Sequence, residues 1–153
     1  MSLISASPAT ALETSEDPAT LLRQAGLKAT PQRLAVLRAL AGDQTHPTAQ
    51  DLYERLSTAF PSLSVATVYN TLAALTRVQR CRPLGLGGPV RFDPNVVPHD
   101  HAVCERCGSI RDVPLPLPLA PPIAGAAGFR VERVERIYRG LCAECAAPPE
   151  IGQ

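Results

Sequence analysis

Two cysteine pairs, Cys104-Glu-Arg-Cys107 and Cys142-Ala-Glu-Cys145, constrain this chain more than any other feature of its sequence. A C-x-x-C knuckle can put two thiolates on one cation, and two knuckles close a tetrahedral zinc shell with Zn–S distances of about 2.3 Å. The competing reading is a pair of redox or incidental thiols, and the doubled spacing favours zinc. Thirty-four residues separate the pairs, more than a compact zinc ribbon needs, so the intervening segment must hold structure of its own. The fifth cysteine, Cys81, stands apart and reads as a semi-buried free thiol.

With 45% hydrophobic and 19% charged residues, the 153-residue chain has the composition of a globular protein. No stretch approaches the roughly 20 apolar residues that a bilayer span requires, and the N-terminus lacks a basic region followed by an apolar one, so a cytoplasmic location is expected. The net charge of +1 argues against a nucleic-acid partner only until it is divided along the chain. Residues 1–17 carry −3, residues 18–92 carry +6 and residues 93–153 carry −2. The average conceals a basic region joined to an acidic one.

These regions set the expected domains. Residues 1–17 read as a flexible N-terminal arm, 18–92 as a DNA-binding domain and 93–153 as a metal-binding domain. Leu21, Leu22 and Ala25 predict a short helix stopping at Gly26. Thr30-Pro31 supplies an N-cap and a first-turn proline for a second helix with Leu34, Leu37 and Ala41 on its apolar face. Thr48 and Asp51 predict a capping box for a third, which turns Leu52, Leu56 and Ala59 inward and ends at Pro61. Ser64 caps a fourth, from Val65 to about Thr76, whose Val68, Leu72 and Leu75 recur at helical spacing.

The other face of the fourth helix carries Ala66, Thr67, Tyr69, Asn70 and Thr71, small or neutral hydrogen-bonding groups, with Arg77 and Arg80 beyond its end. Val78–Leu84, a Gly85–Gly88 turn and Pro89–Phe92 read as a hairpin bearing Arg80, Arg82 and Arg91. Short helices followed by a basic hairpin describe a winged helix-turn-helix, with the fourth helix in the major groove and the hairpin against phosphates. The plainer alternative is a helical packing domain with a solvated basic face. Further on, His99 and His101 alternate on a predicted strand, near Asp93 and Asp112, so their imidazoles can share an ion.

Taken in order, these residues resemble the ferric uptake regulator (Fur) family of metal-dependent transcription factors. The resemblance rests on Gly26–Arg33, His46-Pro47-Thr48-Ala49, Ser64–Leu72, Arg91-Phe92-Asp93, His99-Asp100-His101 and both cysteine pairs. It implies an α+β chain, with an N-terminal winged helix-turn-helix domain, a hinge near Asp93 and a small C-terminal α/β dimerisation domain whose four paired cysteines hold a structural zinc. It also implies a homodimeric repressor on inverted-repeat operator DNA, with no enzymatic activity. The DNA-contacting residues so implied are Ser64, Ala66, Thr67, Tyr69, Asn70 and Arg77. The implied regulatory ligands, His46, Asp93, His99, His101 and Asp112, form a nitrogen and oxygen set that suits Fe²⁺ or Mn²⁺.

Within the family, Asp112 and Asn70 resemble the peroxide-sensing PerR branch, which implies that His46 and His99 are oxidation-sensitive. Asp100 is more like the iron-uptake regulators, but residues 131–136 lack the extra histidine of a further site of that type. An iron- or manganese-uptake regulator without peroxide sensing is therefore an alternative. From other classes, a metal-binding module without DNA and a zinc hydrolase are the competitors, and the hydrolase lacks a placed general base or nucleophile motif. Pro114–Pro122 is too rich in proline for a helix, and an extended segment with a short helix over 123–127 is expected there, followed by strand residues Val131, Val134, Ile137 and Tyr138.

Overall fold

A computed structural model of the chain describes residues 16–115, 128–130 and 134–147. Most of the N-terminal arm, the proline-rich stretch beyond Leu115, the helix expected over 123–127 and Val131 lie outside the described residues. The chain divides after Val97 into two compact units. No helix among the described residues is long and apolar enough to cross a membrane.

Four helices of the first unit begin where a side chain takes an otherwise orphaned amide. Helix α1 (Pro18–Gln24) starts at Asp17, which accepts from Thr20 N at 3.0 Å, and α2 (Pro31–Leu40) starts at Thr30. Helix α3 (Ala49–Ser57) has the full reciprocal box: Thr48 Oγ1 accepts from Asp51 N at 3.0 Å, and Asp51 Oδ2 accepts from Thr48 N at 2.8 Å. These bonds hold the Asp51 carboxyl below its usual range, the Thr48 amide contributing most. Helix α4 (Val65–Arg77) is capped by Ser64 Oγ, which accepts from Thr67 N at 3.1 Å.

Two helix ends depart from expectation. Helix α3 stops at Ser57, short of Pro61, and Ala59 is exposed. Bonds from Phe60 N to Leu56 O and from Leu63 N to Phe60 O turn the chain early, and Leu63 fills the inward place instead. Helix α4 closes through Gln79, which takes the left-handed conformation at φ 56° while Arg80 N reaches back to Leu75 O. The β-branched Val78 and its neighbours, expected as strand, are therefore a helix cap.

The hairpin is correspondingly shorter than its sequence pattern. Strands β1 (Arg82–Leu84) and β2 (Arg91–Asp93) pair antiparallel over three rungs. A bridge between Thr48 and Arg91 and a bond from Phe92 N to Pro47 O attach the segment before α3 to this wing. Leu21, Leu22, Val36, Leu40, Leu52, Leu72 and Leu75 are all but fully buried in one apolar cluster that Phe92 joins from the wing. Cys81 lies in the same cluster, and its burial pushes the thiol up to about 11, which makes it an inert packing residue.

In the second unit β3 (His99–Cys104) is central, antiparallel to β4 (Ile110–Pro114) and parallel to β5 (Ile137–Gly140). The one-turn helix α5 (Ala143–Ala146) begins after Cys142. Val134 precedes the last strand rather than belonging to it.

Candidate metal centres and nucleic-acid face

The first cysteine pair ends β3 and opens the turn into β4, and the second surrounds the start of α5. Parallel pairing of Cys104 with Gly140 brings the pairs to one end of the sheet. All four Sγ atoms lie within 4.8 Å of one another, and Cys107 Sγ is 3.8 Å from Cys142 Sγ. Sulfurs at the corners of a tetrahedron about 2.3 Å from zinc stand about 3.8 Å apart, so the donor set fits the ion.

The thiols also differ among themselves. The Cys107 amide, with that of Cys142, holds Cys104 down to about 6, and Ser109 lowers Cys107. Cys145 is pushed up to about 12, chiefly by the Cys142 thiol beside it. Backbone amides thus favour the Cys104 thiolate, while the hydrogen bond with the Cys142 thiol favours the protonated form of Cys145.

The second cluster in this unit is built by strand alternation. His99 and His101 project from one side of β3 with their rings edge to face, and their Nε2 atoms are 2.9 Å apart. Asp112, paired with His101 across the β3–β4 ladder, puts Oδ1 at 3.4 Å from His99 Nε2 and 4.0 Å from His101 Nε2. Two nitrogens bound cis at about 2.1 Å to an octahedral ion stand about 3.0 Å apart, which matches the imidazole pair. Two imidazoles and one carboxylate make a triangular face of hard and borderline donors, unlike the all-sulfur cluster at the strand's other end.

The first unit pairs the two other histidine and carboxylate candidates. His46 Nε2 lies 3.8 Å from Asp93 Oδ1, and both side chains are buried. His46 adopts φ 53°, a left-handed backbone that is uncommon outside glycine, and Arg91 on β2 donates to its carbonyl. Strand β2 carries Asp93 two residues later, so the attachment of the segment before α3 to the wing is what brings the pair together.

On α4, Ala66, Tyr69, Asn70, Ala73 and Arg77 form an exposed stripe at helical spacing, with Tyr69 47% exposed. Ser64 is exposed at the helix start and Thr67 is half-buried. Thr71, expected on the same face, is buried and returns its hydroxyl to Thr67 O at 2.7 Å. Position 71 lies on the core side with Val68, Leu72 and Leu75, and a threonine tolerates that side by satisfying its hydroxyl on the preceding turn. The guanidiniums expected against phosphates are engaged internally. Arg82 donates to Val96 O, Arg91 to His46 O, and Arg80 pairs with Glu16 at 2.8 Å.

The Ferric uptake regulator family profile matches residues 24–138. The peroxide-responsive repressor PerR of Staphylococcus aureus (strain Mu50) is 45% identical over 133 residues, covering 85% of this chain and 90% of that protein. Among solved structures, the Vibrio cholerae ferric uptake regulator superposes with a TM-score of 0.63 at 26% identity, over 82% of this chain and 100% of that one. The Campylobacter jejuni peroxide stress regulator does so with a TM-score of 0.59 at 26% identity, over 85% and 100%. With the family profile covering three quarters of its length, and with the helices, wing, cysteine cluster and histidine pair in the matched order, this chain belongs to the ferric uptake regulator family.

Proposed function

We infer that the protein is a metal-dependent DNA-binding repressor, not an enzyme, that acts as a homodimer on inverted-repeat operator DNA in the cytoplasm and responds to peroxide. The observation that carries this is the triangle of His99, His101 and Asp112, whose imidazole separation of 2.9 Å fits two cis ligands of one divalent ion. His46 and Asp93, paired in the first unit, complete a set of three nitrogens and two carboxylates that suits Fe²⁺ or Mn²⁺. Cys104, Cys107, Cys142 and Cys145 hold a structural Zn²⁺. Residues 18–92 serve as the reading head and 93–153 as the metal-binding dimerisation domain. Ser64, Ala66, Thr67, Tyr69, Asn70 and Arg77 face the operator.

The ligands come from both parts of the chain, so occupancy favours one arrangement of reading heads over others. A coupling of about 1–3 kcal/mol is typical of such linkage, and by reciprocity operator DNA must tighten metal binding by the same factor. Phosphate contacts add a salt dependence of about −0.9 in log–log slope for each contact. Iron held by His46, Asp93, His99, His101 and Asp112 would supply the electrons that cleave peroxide, and His46 or His99 would be the imidazole placed to take one of its oxygen atoms, the other leaving as water. An oxidised imidazole is a poorer ligand, so the DNA-competent arrangement is lost. The 45% identity to a peroxide-responsive repressor supports this branch over a regulator of metal uptake alone.

The test is operator binding by anaerobically prepared, zinc-replete protein with Fe²⁺ or Mn²⁺, before and after peroxide, followed by mass spectrometry of the peptides holding His46 and His99. Metal-dependent binding that peroxide abolishes only in the iron form, with a mass gain of about 16 Da, is expected. Metal-dependent binding without oxidation selects an uptake regulator instead. Equal metal affinity with and without operator overturns the switch.

A further inference from the structure

Asp100 is a buried carboxylate for which the metal reading has no use. It stands between the two imidazoles in sequence, and alternation turns it to the opposite side of β3. Its side chain is 1% exposed. A carboxylate removed from water requires a partner of opposite charge. Its Oδ2 accepts from Arg136 Nε at 2.9 Å and from the Tyr138 hydroxyl at 3.2 Å. Arg136 meets β3 a second time, because its carbonyl accepts from His101 N at 3.1 Å. One residue therefore grips two consecutive positions of the central strand, just ahead of the rung that pairs His101 with Ile137.

Strand β5 needs such a grip. It is four residues long, lies at the edge of the sheet formed by the described strands, and all four residues are exposed, so burial of an apolar face cannot set its register. Parallel pairing adds less per residue than antiparallel pairing. A buried ion pair is a modest source of stability, but its geometry admits one register, which suits this role.

We propose that Asp100, Arg136 and Tyr138 form a positioning clamp that sets the pose of β3 from which His99 and His101 meet a divalent ion. The proposal rests on the regulatory-site reading above. Two ends of β3 are held by different means. Cys104 is tied into the thiol cluster, whereas His99 and His101 lie at the end held by the clamp. Loss of the clamp should therefore weaken the regulatory site and leave the zinc in place, which general destabilisation of the unit would not do.

The experiment is Mn²⁺ titration of the full-length, zinc-replete protein, with free Mn²⁺ read by electron paramagnetic resonance and zinc by elemental analysis. Asp100→Asn and Arg136→Leu are expected to weaken Mn²⁺ by about tenfold or more, as removal of a ligand-orienting partner does, with one zinc per chain and an unchanged circular dichroism spectrum. Arg136→Lys, which keeps the charge that Arg136→Leu removes, should recover most of the affinity. Should Arg136→Leu fail to fold, Tyr138→Phe removes one hydrogen bond from a half-exposed ring, and a smaller drop in the same direction is expected. Zinc-replete variants that bind Mn²⁺ as the wild type does, or variants that lose zinc and Mn²⁺ together, overturn the clamp alone. A wild type that does not bind Mn²⁺ overturns the site, and the clamp with it.

Discussion

Thirteen apolar side chains of the first unit fuse into one buried cluster, whereas the second unit contributes only Cys104 and Ile110 to the buried apolar residues described. The first unit is thus held by the hydrophobic effect, with caps and a wing fixing its edges. Among the described residues, the second is held by strand pairing, a buried ion pair and four thiols gathered at one end. A region stabilised by apolar burial keeps its shape whatever ions are present. A region whose contacts are ligands and charges takes its shape from the ions it holds, which suits the part of a molecule that reports on metal.

The sharpest way to break this contrast is to remove the zinc. Cys142→Ser combined with Cys145→Ser should unfold the second unit, since structural zinc contributes on the order of 10–16 kcal/mol in apparent binding energy. Helical circular dichroism from the first unit should persist, and its loss would show that the units do not fold separately. Conversely, Leu72→Ala should cost the first unit about 2–5 kcal/mol in denaturant unfolding, with zinc content unchanged. Tyr69→Ala with Asn70→Ala should abolish operator binding in a gel-shift assay. Stability should move by no more than about 0.5 kcal/mol for each exposed site.

The smallest effect concerns a helix start. Thr48→Ala should cost about 1 kcal/mol by removing half of the capping box of α3. Asp51 is held below its unfolded value of 3.8 in the folded chain, so its contribution is present above that pH and disappears as pH falls through the lower folded value. A thermal melt of Asp51→Asn should therefore differ from wild type at pH 7 and converge with it as the pH falls below the ordinary carboxylate range.

Much of this was legible in the sequence because the signals are local. Thr30-Pro31, Thr48 with Asp51, and Ser64 are caps within one turn, and they mark three helix starts where the fold has them. The cysteine spacing announced the four-thiol cluster, and the period-two spacing of His99 and His101 put both rings on one side of a strand. The misses are equally physical. Gln79 closes α4 without glycine, so Val78 looked like strand, and Thr71 looked exposed because a threonine can bury its hydroxyl on its own helix. Nothing near Arg136 or Tyr138 in sequence indicated that they serve Asp100.

By itself, then, the sequence determined the starts of α2, α3 and α4, the ligand types and the family, since caps, knuckles and alternation act over a few residues. Only the tertiary structure decided which charges are engaged. It joined Arg91 to the His46 carbonyl, Arg80 to Glu16 and Arg136 to Asp100, partners 45, 64 and 36 residues apart. Contacts at such separations depend on how the chain is folded back on itself, and no periodicity along the chain encodes them.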